Sequence, residues 1–209
     1  MRKLAVAMAL ASTALATPAL ARDDSWYVGV EGGALLVEDM HFDIGALPNA
    51  ATVNHNYGYD VDGTIGYDFG AFRLETEVAY KSATVDSYYS STTTPASNFQ
   101  GRPINVPAGT YDYAGGRTTA LSFMVNGLLD FGDDDGIQGF VGGGVGVARV
   151  KASDYALNTL SNFLDDSDTV FAYQGMAGLR APLTDHLDAS IKYRFFTAEN
   201  LKMIDVSGR

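Results

Sequence analysis

Apolar and polar residues alternate along much of this chain. The clearest stretch is residues 59–69, where Tyr59, Val61, Ile65, Tyr67 and Phe69 fall in one phase and Asp60, Asp62, Thr64 and Asp68 in the other. Side chains point alternately to the two faces of a strand, so this pattern sets a hydrophobic surface back to back with an acidic one. Similar strands are predicted over 26–37, from Phe72 to Lys81, and over 121–131, 138–150, 171–180 and 187–195, giving seven in all. In the third, Phe72, Leu74, Thr76, Val78 and Tyr80 oppose Arg73, Glu75, Glu77 and Lys81; in the seventh, Leu187, Ala189, Ile191, Tyr193 and Phe195 oppose Asp188, Ser190, Lys192 and Arg194. An apolar core does not accept faces charged in this way. No sustained 3.6-residue apolar period appears after the first residues, so helices are not expected there.

The connections have a regular asymmetry. Gly70-Ala71, residues 132–136 and residues 183–186 make tight turns. Polar loops are expected at 38–58, 86–116 and 151–168, and again after Thr197. Strands of about ten residues cross a bilayer at a tilt, and long loops on one side with short turns on the other are the habit of membrane barrels. Aromatic residues add two belts: Trp26, Tyr67, Phe69, Phe72 and Phe131 toward the short turns, and Tyr59, Tyr80, Phe123, Phe171 and Phe195 toward the long loops.

The N-terminus changes the setting. Met1-Arg2-Lys3 is basic, residues 4–15 are almost wholly small and apolar, and Ala19-Leu20-Ala21 offers a small-residue cleavage site. A signal peptide over 1–21 is expected, with the barrel domain over 22–209. The chain carries 14 Lys+Arg and 25 Asp+Glu; without Arg2 and Lys3 the balance is 12 against 25, or −13. That acidity argues against nucleic acid as a partner, because phosphate binding needs a basic footprint. There is no cysteine, hence no disulfide, lipidated N-terminal cysteine or cysteine metal site. A mean hydropathy of −0.01 does not speak against a membrane barrel, whose lumen-facing residues offset its lipid-facing ones.

Taken together, residues 26–33 (WYVGVEGG), 139–148 (GFVGGGVGVA) and 187–195 (LDASIKYRF) resemble the first, fifth and seventh strands of the OmpA-type outer-membrane barrels. The resemblance implies an all-β, antiparallel, up-and-down transmembrane β-barrel of eight strands in the outer membrane. Seven strands are counted, so the chain is expected to be truncated before strand eight. In the long members of that family a peptidoglycan-binding domain follows, so peptidoglycan is an expected partner through a domain absent here. The other expected partners are outer-membrane lipid and ligands at the external loops.

The candidate site is the set of inward charges: Glu31, Asp60, Asp62, Asp68, Arg73, Glu75, Glu77, Lys81, Asp130, Arg180, Asp188, Lys192 and Arg194. Both signs occur near the short turns and at mid-height, so ion pairs are expected to fill a narrow lumen, or to switch partners and gate a small pore. Other motifs carry less. Residues 142–146 lack the lysine and the following helix of a phosphate loop, and their glycines are expected to admit Tyr27, Met176 or Arg180 across the lumen. His41 and His55, near Glu38, Asp39 and Asp43, match no metal-ligand spacing and are expected in a solvated loop; Asp133-Asp134-Asp135 is expected to be a hydrated turn. No histidine–serine pair recurs at matched height, so no catalytic residue, cofactor site or metal site is expected, and the protein is not expected to be an enzyme. The function expected is structural, in cell-envelope integrity, with a narrow porin or a surface adhesin as alternatives.

Overall fold

The computed structural model describes residues 4–18, 24–44, 46–98, 100–112, 114–133, 136–157, 161–184 and 186–205. Every regular element among them is a strand: β1 (Leu4–Pro18), β2 (Ser25–Val37), β3 (Met40–Ile44), β4 (Leu47–His55), β5 (Gly58–Asp68), β6 (Phe72–Ser90), β7 (Thr94–Ser97), β8 (Pro103–Val106), β9 (Gly109–Tyr111), β10 (Ala114–Phe131), β11 (Gln138–Leu157), β12 (Ser161–Thr184) and β13 (Leu187–Leu201). All their pairings are antiparallel. β2 pairs with β5, β5 with β6, β6 with β10, and so on through β11 and β12 to β13. These are the seven predicted strands, joined as an up-and-down meander.

The ring closes through β1, which lies between β13 and β2 and pairs with both. Residues 4–18, expected to be a leader, thus occupy the eighth position that the sequence pattern left vacant. The physical demand is plain: the free edges of β2 and β13 present unpaired backbone groups, which lipid cannot satisfy.

The predicted alternation appears in the burial of the side chains. Val28, Val30, Val61, Ile65, Leu74, Val78, Val125, Val145 and Ile191 are exposed on the outer surface, while Asp60, Asp62, Glu77, Lys81, Asn126 and Arg194 are buried inside it. At the short-turn end Trp26 packs edge-on against Tyr67 at 5.4 Å between ring centroids, Tyr67 meets Phe69 at 4.6 Å, and Phe69 stacks near Phe72. At the other end Tyr59 lies by Tyr80 and Phe171 by Tyr173. These are the two belts.

The polar-loop expectation is corrected. β6 runs on to Ser90, β10 begins at Ala114, β11 continues to Leu157, β12 begins at Ser161 and β13 reaches Leu201, so much of 86–116, 151–168 and the stretch after Thr197 is ladder. The first loop folds as the hairpin β3–β4, whose second strand pairs with β6. The reason lies in the phase of the pattern. On β11 the outward residues are Val141, Val145 and Val147, and then Arg149 and Lys151; the inward ones beyond that point are Ala148, Val150, Ala152, Tyr155 and Leu157. On β10, outward Arg117 and Thr119 give way to Leu121 and Phe123, while Thr84 and Asp86 succeed Tyr80 on β6. The pairings Tyr80↔Leu121, Leu121↔Arg149 and Arg149↔Thr169 put this inversion at nearly one level on four adjacent strands. Below it the barrel is apolar outside, as lipid requires; above it the barrel is polar outside and apolar inside, as water requires.

Candidate functional site: a charged lumen beneath an apolar cap

The inward charges form two groups, one near the short turns and one farther along the strands. Near the short turns, the guanidinium of Arg73 donates two parallel bonds to Asp130, from Nε at 2.7 Å and Nη2 at 2.8 Å, and a third to Glu75 at 3.4 Å. Parallel bonds of this kind fix orientation as well as charge. The same guanidinium lies 5.2 Å from the Phe140 ring centroid and 5.7 Å from that of Tyr27, whose hydroxyl donates to Glu75. Across the lumen Arg180 donates to Asp68 at 3.3 Å and to Gln138 at 2.6 Å, with Asp188 at 4.0 Å.

At mid-height the hub is Arg194, fully buried. Its Nη1 lies 3.0 Å from Asp60 and 3.2 Å from Glu77, and its Nη2 lies 2.9 Å from Asp62 and 3.5 Å from Glu31. Lys192 pairs with Glu31, and Lys81 with Asp60 at 3.2 Å. Two amides complete the set: Asn126 donates to Glu77 at 3.0 Å, and Gln174 donates to Glu77 at 3.2 Å and to Asn126 at 2.8 Å. Four carboxylates thus face three cations. All thirteen predicted charges join one group or the other. The uncharged partners Tyr27, Asn126, Gln138 and Gln174 carry much of the bonding, yet nothing but their inward phase marks them in the sequence.

The glycine run 142–146 lies within β11 as predicted, in a strand with no helix after it. The residues it admits are different from those expected. A Cβ at Gly144 would collide with Asn126 Oδ1 and stand 2.8 Å from the Val125 carbonyl, and one at Gly146 2.8 Å from the sulfur of Met124. Room is made for the neighbouring strand β10, whereas Tyr27 packs over Gly66, with its ring carbon 2.6 Å from where a Cβ would be.

Above the inversion the lumen continues into an apolar cap. Leu35, Met40, Val53, Val85, Tyr155 and Phe196 belong to one buried cluster there, with Leu157, Phe163 and Leu201. His55 sits at its base, which corrects the expectation of a solvated residue. Its Nε2 lies 2.6 Å from Thr118 Oγ1 and 3.1 Å from the Tyr155 hydroxyl, and those two hydroxyls are bonded to each other. Burial lowers the His55 pKa to about 4, with the charge of Asp39 opposing the shift. Burial likewise raises Tyr155, against its bond to Thr118. His41 is separate, exposed, with Nδ1 3.0 Å from Thr52 Oγ1. No three metal-ligating side chains converge among the described residues. Of the acidic turn, Asp134 and Asp135 lie outside the described residues.

An antiparallel barrel with an apolar outer belt, aromatic borders and a paired-charge interior is an outer-membrane β-barrel protein. The chain belongs to the outer membrane protein beta-barrel domain family, which it matches over residues 7–207. It is 27% identical over 212 residues to outer membrane protein A of Shigella flexneri, covering 95% of this chain and 57% of that protein. The chain therefore spans just over half the length of that relative.

Proposed function

We propose that this barrel is a structural element of the outer membrane, contributing to envelope integrity without catalysis. The supporting observation is the filling of its interior: Arg194, fully buried, stands among Glu31, Asp60, Asp62 and Glu77 beneath a continuous apolar cluster. A water path through it would have to break buried ion pairs and wet an apolar plug as well, and each step opposes conduction. Likeness to outer membrane protein A supports a further reading, in which the barrel anchors a peptidoglycan-linked protein. On this proposal residues 1–21 are a signal peptide removed on export. Planar-bilayer recording tests the structural role. Essentially silent membranes are expected from the purified protein, and steady unit conductance contradicts it.

A narrow gated pore is the second reading. It is favoured by Glu31, which has both Lys192 and Arg194 within 4 Å and so offers an exchange of partners. Rare openings that vanish in Lys192→Ala would favour it. A receptor role for the external strands is tested by deleting residues 90–110: loss of surface-ligand binding with the barrel intact would favour it.

A further inference from the structure

The cap contains a pocket of about 140 Å³ above the inversion level, outside the lipid-facing belt. Its walls come from β3, β4, β6, β7, β12 and the segment after β13, and eight of its eleven lining residues are apolar or aromatic. The rings of Tyr88 and Phe163 meet there at 4.8 Å between centroids, and the Tyr88 hydroxyl is fixed by Thr94 at 2.9 Å. A cavity of roughly 150 Å³ lined by apolar side chains accommodates a benzene ring. By size, then, the pocket admits one ring or a short branched alkyl group.

Its charge is one-sided. The two ionisable carboxyl groups in the wall are Asp43 and Asp205, and none of the eleven lining residues is Lys, Arg or His. Both are held by the fold. Asp43 accepts the backbone N–H of Asn49 at 2.8 Å, across the tight β3–β4 hairpin in which Asn49 takes a φ of 49°. Asp205 bridges to Leu164 of β12, and the residues before it are tied down where Lys202 and Ile204 donate their N–H groups to Asp168 and Asp166 at 2.9 and 2.8 Å. The charge of Asp205 is felt by Tyr88, where it adds to the upward shift that burial imposes on the phenol. Aromatic faces and carboxylates both attract a weakly hydrated cation, and neither attracts an anion.

We propose that this pocket is a binding site for a small organic ammonium ion: an apolar body of about one ring seated against Tyr88 and Phe163, with its cationic head served by Asp43 and Asp205. Such a site gives the external face a ligand specificity independent of whether the lumen conducts.

The test is an NMR titration of the full chain in a nonionic detergent at neutral pH, with phenyltrimethylammonium and, separately, uncharged benzyl alcohol. Saturable shifts at Ala51 and Leu164 are expected for the cation, with affinity at least about tenfold above that of the alcohol. The double substitution D43N/D205N should erase that preference while leaving the resonances of the lipid-facing strands in place. Ala51→Leu, which fills the pocket, should remove binding of both probes. Equal affinity for the two probes, a preference that survives D43N/D205N, or no saturable shift with the native chain would each overturn the proposal.

Discussion

Arg194 shows what a single side chain does in this interior. Desolvating a guanidinium is costly, and here the cost is offset by four carboxylates, of which Asp60, Asp62 and Glu77 are themselves buried and Glu31 is part-buried. Replacing it with a neutral residue leaves those carboxylates facing one another. Arg194→Met is therefore expected to lower the unfolding free energy by about 3–5 kcal/mol, read from urea titration in lipid vesicles. Lys192→Ala should cost less, because Glu31 keeps Arg194 within 3.5 Å. His55 makes a prediction with a definite sign. Its folded pKa of about 4 lies below the unfolded value of 6.5, so between those limits the unfolded chain binds the proton and the folded one does not. Its contribution is whole above pH 6.5 and is lost as pH falls toward 4, by up to about 3 kcal/mol. Stability curves of the native chain and His55→Gln should converge over that window; parallel curves would mean that His55 is not buried neutral.

The strands are legible in the sequence where the solvent is lipid, because there outward Val, Leu, Ile and Phe alternate with inward charges, the period-2 signature of an antiparallel strand with one apolar and one polar face. The legible pattern ends at Lys81, Leu121, Val150 and Phe171, close to the points where the phase inverts. Above that level Ala83, Val85, Tyr155 and Phe163 point inward among Ser, Thr and Asp neighbours, and the run resembles a polar loop unless a change of solvent within one strand is allowed for. The burial of His55 is hidden for the same reason: its partners Thr118 and Tyr155 are distant in sequence and lie on strands whose outer halves read as polar loop. The ion-pair groups were legible in outline, since height can be counted from the short turns, whereas the amide clamp of Asn126 and Gln174 on Glu77 has no charge to announce it. The inversion can be tested on one strand. Val145→Arg, in the lipid belt, should cost about 2–4 kcal/mol, while Lys151→Leu, above it, should change little. On the same element Gly144→Ala would push a Cβ onto the Val125 carbonyl and Asn126, an overpacking of about 1–3 kcal/mol or more. Gly175→Ala, with nothing within 4 Å, is the matched control.

At the scale of the whole molecule, an apolar belt outside, ion pairs within it and an apolar cap above answer one constraint: among the described residues the charged groups at the level of the belt turn inward, away from hydrocarbon. The position of β1 is the one place where this closure depends on a segment with the features of a leader. N-terminal sequencing of protein recovered from the outer membrane decides it. A start at Arg22 is expected from the proposal that residues 1–21 are removed, and a retained Leu4–Pro18 would make β1 a permanent member of the ring.

The central claim is the direction of the two faces, and spin-label accessibility in reconstituted vesicles measures it directly. Single cysteines can be placed along β5 and β11 without interference, since the chain has none of its own. Labels at Val61, Ile65, Val141 and Val145 should be relaxed by lipid-soluble oxygen and sheltered from a water-soluble nickel reagent, with the order reversing at Arg149 and Lys151. Water-soluble relaxation along the whole outer face of both strands would contradict the membrane barrel and indicate a barrel surrounded by water.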